Sequence, residues 1–120
     1  MSKAVGGRIE IKVDGQLFSG KGAFDYEVSG VKRESVVGHD AIHGYKEMPK
    51  VPYIEGTITD SPELSLERLS NMTGVTVTLS LINGKSIVLN DAWYTGDAKG
   101  NSEEGEIDFR FEGLYGQEIS

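Results

Sequence analysis

Two histidines four residues apart are the feature of this sequence that comes closest to a catalytic motif. They lie in the segment His39-Asp40-Ala41-Ile42-His43, and a helix with two histidines at this spacing binds zinc in one class of metalloprotease. In that class a glutamate between the histidines is the general base, whereas this chain has the shorter Asp40. Glycines at 38 and 44 disfavour a helix here. A small metal-dependent hydrolase using His39 and His43 is therefore one alternative for this chain.

A third metal ligand would have to be a carboxylate, because the sequence contains two histidines and no cysteine. Glu34 and Glu47 are the nearby candidates. We interpret His39 and His43 as loop or interface residues, and we predict no metal and no cofactor.

Other short motifs do not form a catalytic set. Gly20-Lys21-Gly22 is too short for a phosphate-binding loop and lies in a stretch of strand character. Glu103 and Glu104 are adjacent carboxylates in a Gly/Asn/Ser-rich loop, where we expect a solvated turn. Trp93 and Tyr94 could stack a ligand, but we interpret them as core aromatics of a strand. The sequence therefore predicts a protein that is not an enzyme.

The composition narrows the classes of partner. The net charge is −7, with +2 in residues 1–33 and −9 in residues 34–120, and no Lys/Arg cluster provides a site for a phosphate backbone. The absence of cysteine excludes a disulfide scaffold. The N-terminal residues contain no apolar run typical of a signal peptide, and no stretch approaches the ~20 apolar residues that span a bilayer. We expect a soluble subunit that does not bind membranes.

The elements around these residues are predicted to be strands. Apolar and polar residues alternate over 8–13 and 106–112, which is typical of half-buried strands. Residues 75–89 form the clearest hairpin, with a type I′ turn predicted at Asn83-Gly84. Glycines at 20 and 22 indicate a bulge or bend in a second strand. We predict a mainly β fold, an antiparallel β-barrel or sandwich, in one domain over residues 1–120.

One short flanking α-helix is predicted at about residues 62–72. Asp60 or Ser61 would serve as its N-cap, with Pro62 in the first turn. Leu66, Leu69 and Met72 would form its apolar stripe, and Gly74 would end it. A helix of about three turns would cover a sheet.

A long segment at about 29–50 has no clean period and is predicted to be a loop or arm. Loops of about twenty residues are commonly functional or disordered, and the apolar content of this one argues against disorder. We predict that the arm packs against another chain. The candidate interface residues are Val36, Val37, His39, Ile42, His43, Tyr45 and Met48.

An ordered set of motifs resembles the tail tube proteins of Mu-like contractile-tailed phages. The resemblance covers nearly the whole chain. Its motifs are Lys12-Val13-Asp14-Gly15, Arg33-Glu34, Gly38-His39-Asp40, His43-Gly44-Tyr45, Pro49-x-x-Pro52, Ile54-Glu55-Gly56-Thr57-Ile58-Thr59-Asp60, Gly74-Val75-Thr76-Val77-Thr78-Leu79, Leu81-x-Asn83-Gly84-Lys85 and Phe111-Glu112-Gly113.

The resemblance implies a structural subunit with a β-barrel-like core and a flanking helix. Six copies would form a ring, and the rings would stack into a hollow tube around a tape measure protein, inside a contractile sheath. A baseplate and a tail terminator would be further partners, and DNA would pass through the lumen without specific binding. The subunit would lie in the virion tail after assembly in the host cytoplasm.

Two hypotheses connect this assembly to the residues. Sheets of neighbouring subunits would join edge to edge, and a negative lumen would repel DNA phosphates. A type VI-like secretion tube component, related in fold to the haemolysin-coregulated proteins, is an alternative with the same architecture. A monomeric β-sandwich binding module is another alternative, but it leaves the arm without a role.

Overall fold

A computed structural model describes residues 10–120, and its first hairpin follows the predicted alternation. Strands β1 (Glu10–Val13) and β2 (Gln16–Glu27) pair antiparallel, with Ile11 and Val13 buried and the residues between them exposed. Asp14 and Gly15 join the strands with φ of 51° and 87°, which is the backbone of a type I′ turn. The predicted start of this strand at Arg8 lies outside the described residues.

The remaining elements are eight strands and one helix. They are β3 (Val31–Val37), β4 (Ile42–Pro49), β5 (Tyr53–Thr59), α1 (Leu66–Ser70), β6 (Val75–Ser80), β7 (Ser86–Tyr94), β8 (Gly100–Asn101), β9 (Glu106–Glu112) and β10 (Tyr115–Ile119). Every strand pair is antiparallel. The α1 helix is too short to span a membrane, and residues 10–120 contain no longer helix.

Six strands close into a barrel. The larger sheet has the order β10-β7-β6-β1-β2-β5-β9-β8, and β7 also pairs with β9. This last contact closes the barrel through Trp93 opposite Glu112 and Tyr94 opposite Phe111. β8 and β10 are additional strands outside the closed ring. The prediction of a mainly β, antiparallel barrel with one short helix is confirmed.

The barrel interior is apolar and rich in aromatic rings. Phe109 lies between Phe18, Phe24 and Phe111, at ring-centroid distances of 6.4, 6.1 and 5.0 Å. Tyr94 packs edge-on against Phe111 at 5.2 Å. No polar or charged residue among those described is fully buried. The stability of this barrel therefore comes mainly from apolar burial.

A bulge in β2 lets Phe24 enter this interior. The β2–β5 register shifts between Lys21 and Asp25, and Gly22 has a φ of +76°, so the predicted bulge is confirmed. Gly56 lies beside Phe24 on β5, where a Cβ would come within 2.5 Å of the Phe24 ring. Gly56 thus provides the space that the Phe24 ring occupies.

The helix is shorter than predicted. It begins at Leu66, with Ser65 as N-cap: the Ser65 Oγ accepts from the Arg68 N–H at 3.2 Å. The predicted caps at Asp60 and Ser61 are wrong, because the Ser61 carbonyl accepts from the Leu64 N–H in a separate turn. Leu69 is the one residue of the helix that is buried. A helix with a single buried contact has little tertiary packing to extend it.

The turn of the second predicted hairpin also differs from the prediction. Gly84 has a φ of +93°, but Asn83 does not have the positive φ that a type I′ turn requires. Leu81 accepts from the Gly84 N–H and donates to the Lys85 carbonyl, which makes a three-residue loop with a bulge at Gly84. The register that pairs Ser80 with Ser86 leaves room for this longer connection.

Candidate assembly interface

The arm at 29–50 is a β-hairpin, so the expectation of an aperiodic loop is wrong. β3 and β4 form a separate two-stranded sheet that pairs with none of the other described strands. The described molecule measures 61 × 35 × 27 Å, and its radius of gyration is 17.1 Å, whereas a compact chain of this length has about 13 Å. The hairpin therefore extends away from the barrel.

The two histidines lie at the end of this hairpin and not on a helix. His39 is in the turn that the Gly38 N–H closes by donating to the Ala41 carbonyl at 2.8 Å. His43 is on β4 at a bulge, and its ring packs over Gly38, where a Cβ would come within 2.1 Å of Nε2. The two histidines therefore do not lie on one face of a helix, as the zinc-protease motif requires. Within residues 10–120, no group of three metal-binding side chains comes together.

Exposed apolar side chains surround this end of the hairpin. We call Val36, Val37, Ile42 and Tyr45 the tip patch. Val37, Ile42 and Tyr45 are 68%, 74% and 61% exposed. Met48, also a predicted interface residue, pairs with Lys32 nearer the barrel and is half-buried. An exposed apolar cluster on an extended element is typical of an interaction surface.

The charged residues of the arm pair with one another. Arg33 Nε lies 3.2 Å from Glu47 Oε2, and its guanidinium stacks on the Tyr45 ring at 5.4 Å. Glu34 lies 3.6 Å from Lys32 and 3.8 Å from Lys46. The carboxylates considered as a third metal ligand are therefore engaged with cations. These exposed pairs add little stability, but they neutralise the stem below the tip patch.

An ion pair lies where the arm joins the barrel. Lys50 Nζ donates to Glu27 Oε2 at 2.8 Å. This hydrogen bond, with a second from the Ser29 N–H, lowers the pKa of Glu27 below the ordinary carboxyl value. This pair has no signature in the sequence, because the two residues are 23 positions apart and no motif connects them.

The final strand, β10, was also missed. It begins two residues after Gly113 and pairs only with β7 in the described chain. Tyr115 and Ile119 are largely exposed at its two ends, and so is Leu114 immediately before it. Lys85 holds its end through an ion pair with Glu118 at 2.8 Å, which raises the pKa of Lys85. The sequence signal for this strand is limited to its two ends, the aromatic Tyr115 and the β-branched Ile119.

The outer face of β5 and β9 is acidic. Arg110 is its central cation, 3.1 Å from Glu55 and 2.9 Å from Glu112, with its guanidinium 4.3 Å from the centre of the Tyr53 ring. Glu106 pairs with Lys21 of β2 at 3.2 Å. Additional carboxylates at positions 25 and 108 leave this face with a negative excess.

The face formed by β6 and β7 adjoins β9 through the β7–β9 pairing and carries few charges. The exposed or half-buried positions on β6 are Thr76, Thr78 and Ser80, and β7 adds Ser86 and Val88 opposite them, with Asp91 exposed further along. A groove of about 870 Å³ lies at one end of this face, between α1 and the β1–β2 turn. The barrel therefore has two outer faces of different charge.

Comparisons with known proteins agree with this architecture. No curated protein matches the chain. The cryo-EM structure of the anti-feeding prophage cap, described as a tube-terminating cap, is similar in fold, with a TM-score of 0.62 and 10% identity over 94% of this chain and 88% of the cap chain. The family model for phage tail tube proteins matches residues 2–118. The chain therefore belongs to the phage tail tube protein family.

Proposed function

We propose that six copies of this chain form a ring and that the rings stack into a hollow tube. Family membership establishes a structural role in a phage tail tube. The observation that supports assembly through the arm is the tip patch, because its apolar side chains remain largely exposed in the described part of the subunit. Burying three such side chains against a neighbour would contribute about 1.5–3 kcal/mol each before the costs of association.

The closed barrel limits where neighbouring sheets can join. Strands inside the closed ring have partners on both sides, whereas β3, β4, β8 and β10 each have one described partner. β8 is only two residues long. Edge-to-edge joining would therefore use β10 or the strands of the arm, which are longer than β8 and can pair with a strand of a neighbouring subunit.

The acidic face of β5 and β9 is our candidate for the lumen. Carboxylates facing DNA would repel its phosphates, so that the DNA slides without binding. The strands β6 and β1, which lie across the ring from β5 and β9, would then face outwards, towards a contractile sheath. Under this arrangement the lumen charge comes from β5 and β9, and the hairpin of β6 and β7 contributes almost none.

We include in this proposal the further tail proteins that the resemblance implies as partners. A tape measure protein would occupy the lumen during assembly in the host cytoplasm, and a baseplate and a terminator would bound the tube. The similarity to a tube-terminating cap is in agreement with a contractile tail system. Membership of a structural family supports a role without catalysis.

Substitution of the tip patch tests the proposal. We expect Ile42→Asp and Tyr45→Asp to prevent ring and tube formation, because each places a carboxylate in an apolar contact. Negative-stain microscopy with rotational averaging would show the rings and their symmetry, and light scattering would follow polymer mass against concentration.

The matched control is Ile82→Asp, since Ile82 is a similarly exposed apolar residue in the β6–β7 turn. All three variants should keep the circular dichroism of the wild type. Normal tubes from Ile42→Asp and Tyr45→Asp would contradict the role of the tip patch, and averages without sixfold symmetry would contradict the hexamer.

A further inference from the structure

The arm leaves the barrel through two short connections that meet at its base. Residues 28–30 lead from β2 into β3, and residues 50–52 lead from β4 into β5. Glu27 is the last residue of β2, and Lys50 is the first residue after β4. Their 2.8 Å ion pair therefore links the strand that enters the arm to the strand that leaves it.

The Glu27 carboxylate also holds the backbone of the entering connection. Its Oε1 accepts from the Ser29 N–H at 3.0 Å, and Ser29 Oγ in turn donates to the Val31 carbonyl at 3.0 Å. The Lys50 N–H donates to the Gly30 carbonyl at 3.1 Å. One carboxylate thus connects both sides of the hinge between barrel and arm.

The barrel ends of these connections are fixed by packing. Val28 lies against β10, where a Cβ on Gly116 would come within 3.1 Å of the Val28 Cβ. Pro52 is buried, and its carbonyl accepts from the Gly113 N–H at 3.1 Å. Between these packed ends and the arm lie residues 29–30 and 50–51, which are the residues that Glu27 and Lys50 span.

We propose that Glu27 and Lys50 form a clasp that fixes the direction in which the arm leaves the barrel. They are positioning residues for assembly, so this inference rests on the proposed function of the tip patch. An arm that changes its direction relative to the barrel must become ordered when it contacts a neighbouring subunit. This ordering costs conformational entropy. The clasp removes part of this cost in the free subunit. A half-exposed ion pair suffices, because it biases an orientation and does not hold the barrel together.

Distances between the arm and the barrel in a monomer test the clasp directly. The chain has no cysteine, so spin labels at Ala41→Cys and Ser102→Cys report the position of the arm turn relative to a barrel loop. The Ile42→Asp background keeps the subunit monomeric. We expect a narrow distance distribution with the intact clasp, and a distribution about twice as broad with Lys50→Met or with Glu27→Gln.

Lys46→Met is the matched control, because Lys46 is an arm lysine whose ion pair, with Glu34 at 3.8 Å, lies inside the hairpin. It should leave the distribution narrow. An equally narrow distribution in Lys50→Met and Glu27→Gln would overturn the proposal.

Assembly of unlabelled chains then separates the clasp from the tip patch. Lys50→Met should raise the concentration needed for assembly about fivefold, the order expected from ordering a few torsions, whereas Lys46→Met should leave it unchanged. If Lys50→Met broadens the distances but assembles normally while Ile42→Asp does not assemble, the positioning role is wrong and the proposed function stands. Normal assembly of Ile42→Asp would contradict the role of the tip patch, and with it the assembly role of the clasp.

Discussion

Gly56 illustrates how a residue without a side chain shapes the barrel core. Its position on β5 leaves the space that the Phe24 ring fills, and that ring packs on Phe109. The strand alternation predicts which face each of these residues occupies. It does not predict that Gly56 and Phe24 meet, because they lie on different strands and their contact depends on the β2 bulge.

Replacing Gly56 with alanine should destabilise the fold. The added methyl would lie about 2.5 Å from the Phe24 ring, which the tightly packed aromatic cluster has little freedom to accommodate. We expect a loss of about 1–3 kcal/mol in the free energy of unfolding, measured by urea denaturation.

Gly30→Ala is the control for this substitution, because a Cβ there meets no atom within 4 Å and the backbone is not left-handed. It should change stability by less than about 1 kcal/mol. Equal stability losses in the two variants would show that the Phe24 contact is not the cause.

The raised pKa of Tyr94 predicts that the protein loses stability at alkaline pH. Its hydroxyl donates to the Asp108 carbonyl, and burial, reinforced by Asp108 and Asp97, raises its pKa to about 12. Because the folded-state pKa lies above the ordinary tyrosine value of about 10, the folded state favours the neutral ring. This contribution is complete below pH 10 and is lost as the pH rises from 10 to about 12.

Urea unfolding of the wild type and Tyr94→Phe from pH 8 to 11.5 would measure this contribution. The stability difference between them should be constant up to about pH 10 and should then shift against the wild type. A difference that stays constant across the whole range would show that Tyr94 does not titrate as described.

At the scale of elements, the strands were more predictable than their connections. β6 and β9 alternate clearly between buried and exposed positions, and the sequence shows the same period. The predictions for the start of the helix and for the β6–β7 turn were wrong. Ser65 caps the helix in place of the predicted residues, and the strand register sets the length of the turn. Such choices depend on tertiary packing and not on local preference.

The arm escaped prediction as a hairpin because neither of its faces is buried. Apolar and charged residues share each face, and a strand without a buried face shows no clean period of two. Its unusual composition still marked it as a candidate interface. The seven predicted interface residues stay a prediction, and four of them are the exposed apolar residues of the tip patch near the end of the hairpin.

Removing the arm should leave the barrel folded. Gly30 and Lys50 are already hydrogen-bonded neighbours, so an Asn-Gly turn can replace residues 31–49. We expect cooperative unfolding with a midpoint within a few degrees of the wild type, because the buried core lies wholly outside this segment. Thermal circular dichroism would measure the midpoint, and light scattering should show a monomer.

A control that keeps the arm but carries Ile82→Asp should unfold at the same temperature and assemble normally. A barrel that fails to fold without residues 31–49 would contradict the separation of the two parts.

For the molecule as a whole, the structure shows where the charged residues lie, which the sequence alone does not. The arm carries four Lys or Arg and three Asp or Glu over residues 29–50, so the acidity of the chain belongs to the barrel. The composition already indicated an acidic protein. The position of Glu55, Glu106, Asp108 and Glu112 on one outer face follows from the pairing of β5 with β9, two strands far apart in the chain.

The independence of the hairpin sheet has an evolutionary consequence. Barrel substitutions are limited by the volume and polarity of one interior, so many sequences can maintain that fold, as the 10% identity to the prophage cap illustrates. The tip patch experiences no such internal selection. Its apolar side chains would drift towards polar ones unless a second surface retained them, so arm and receiving surface should change together across related tails while the barrel diverges at its own rate.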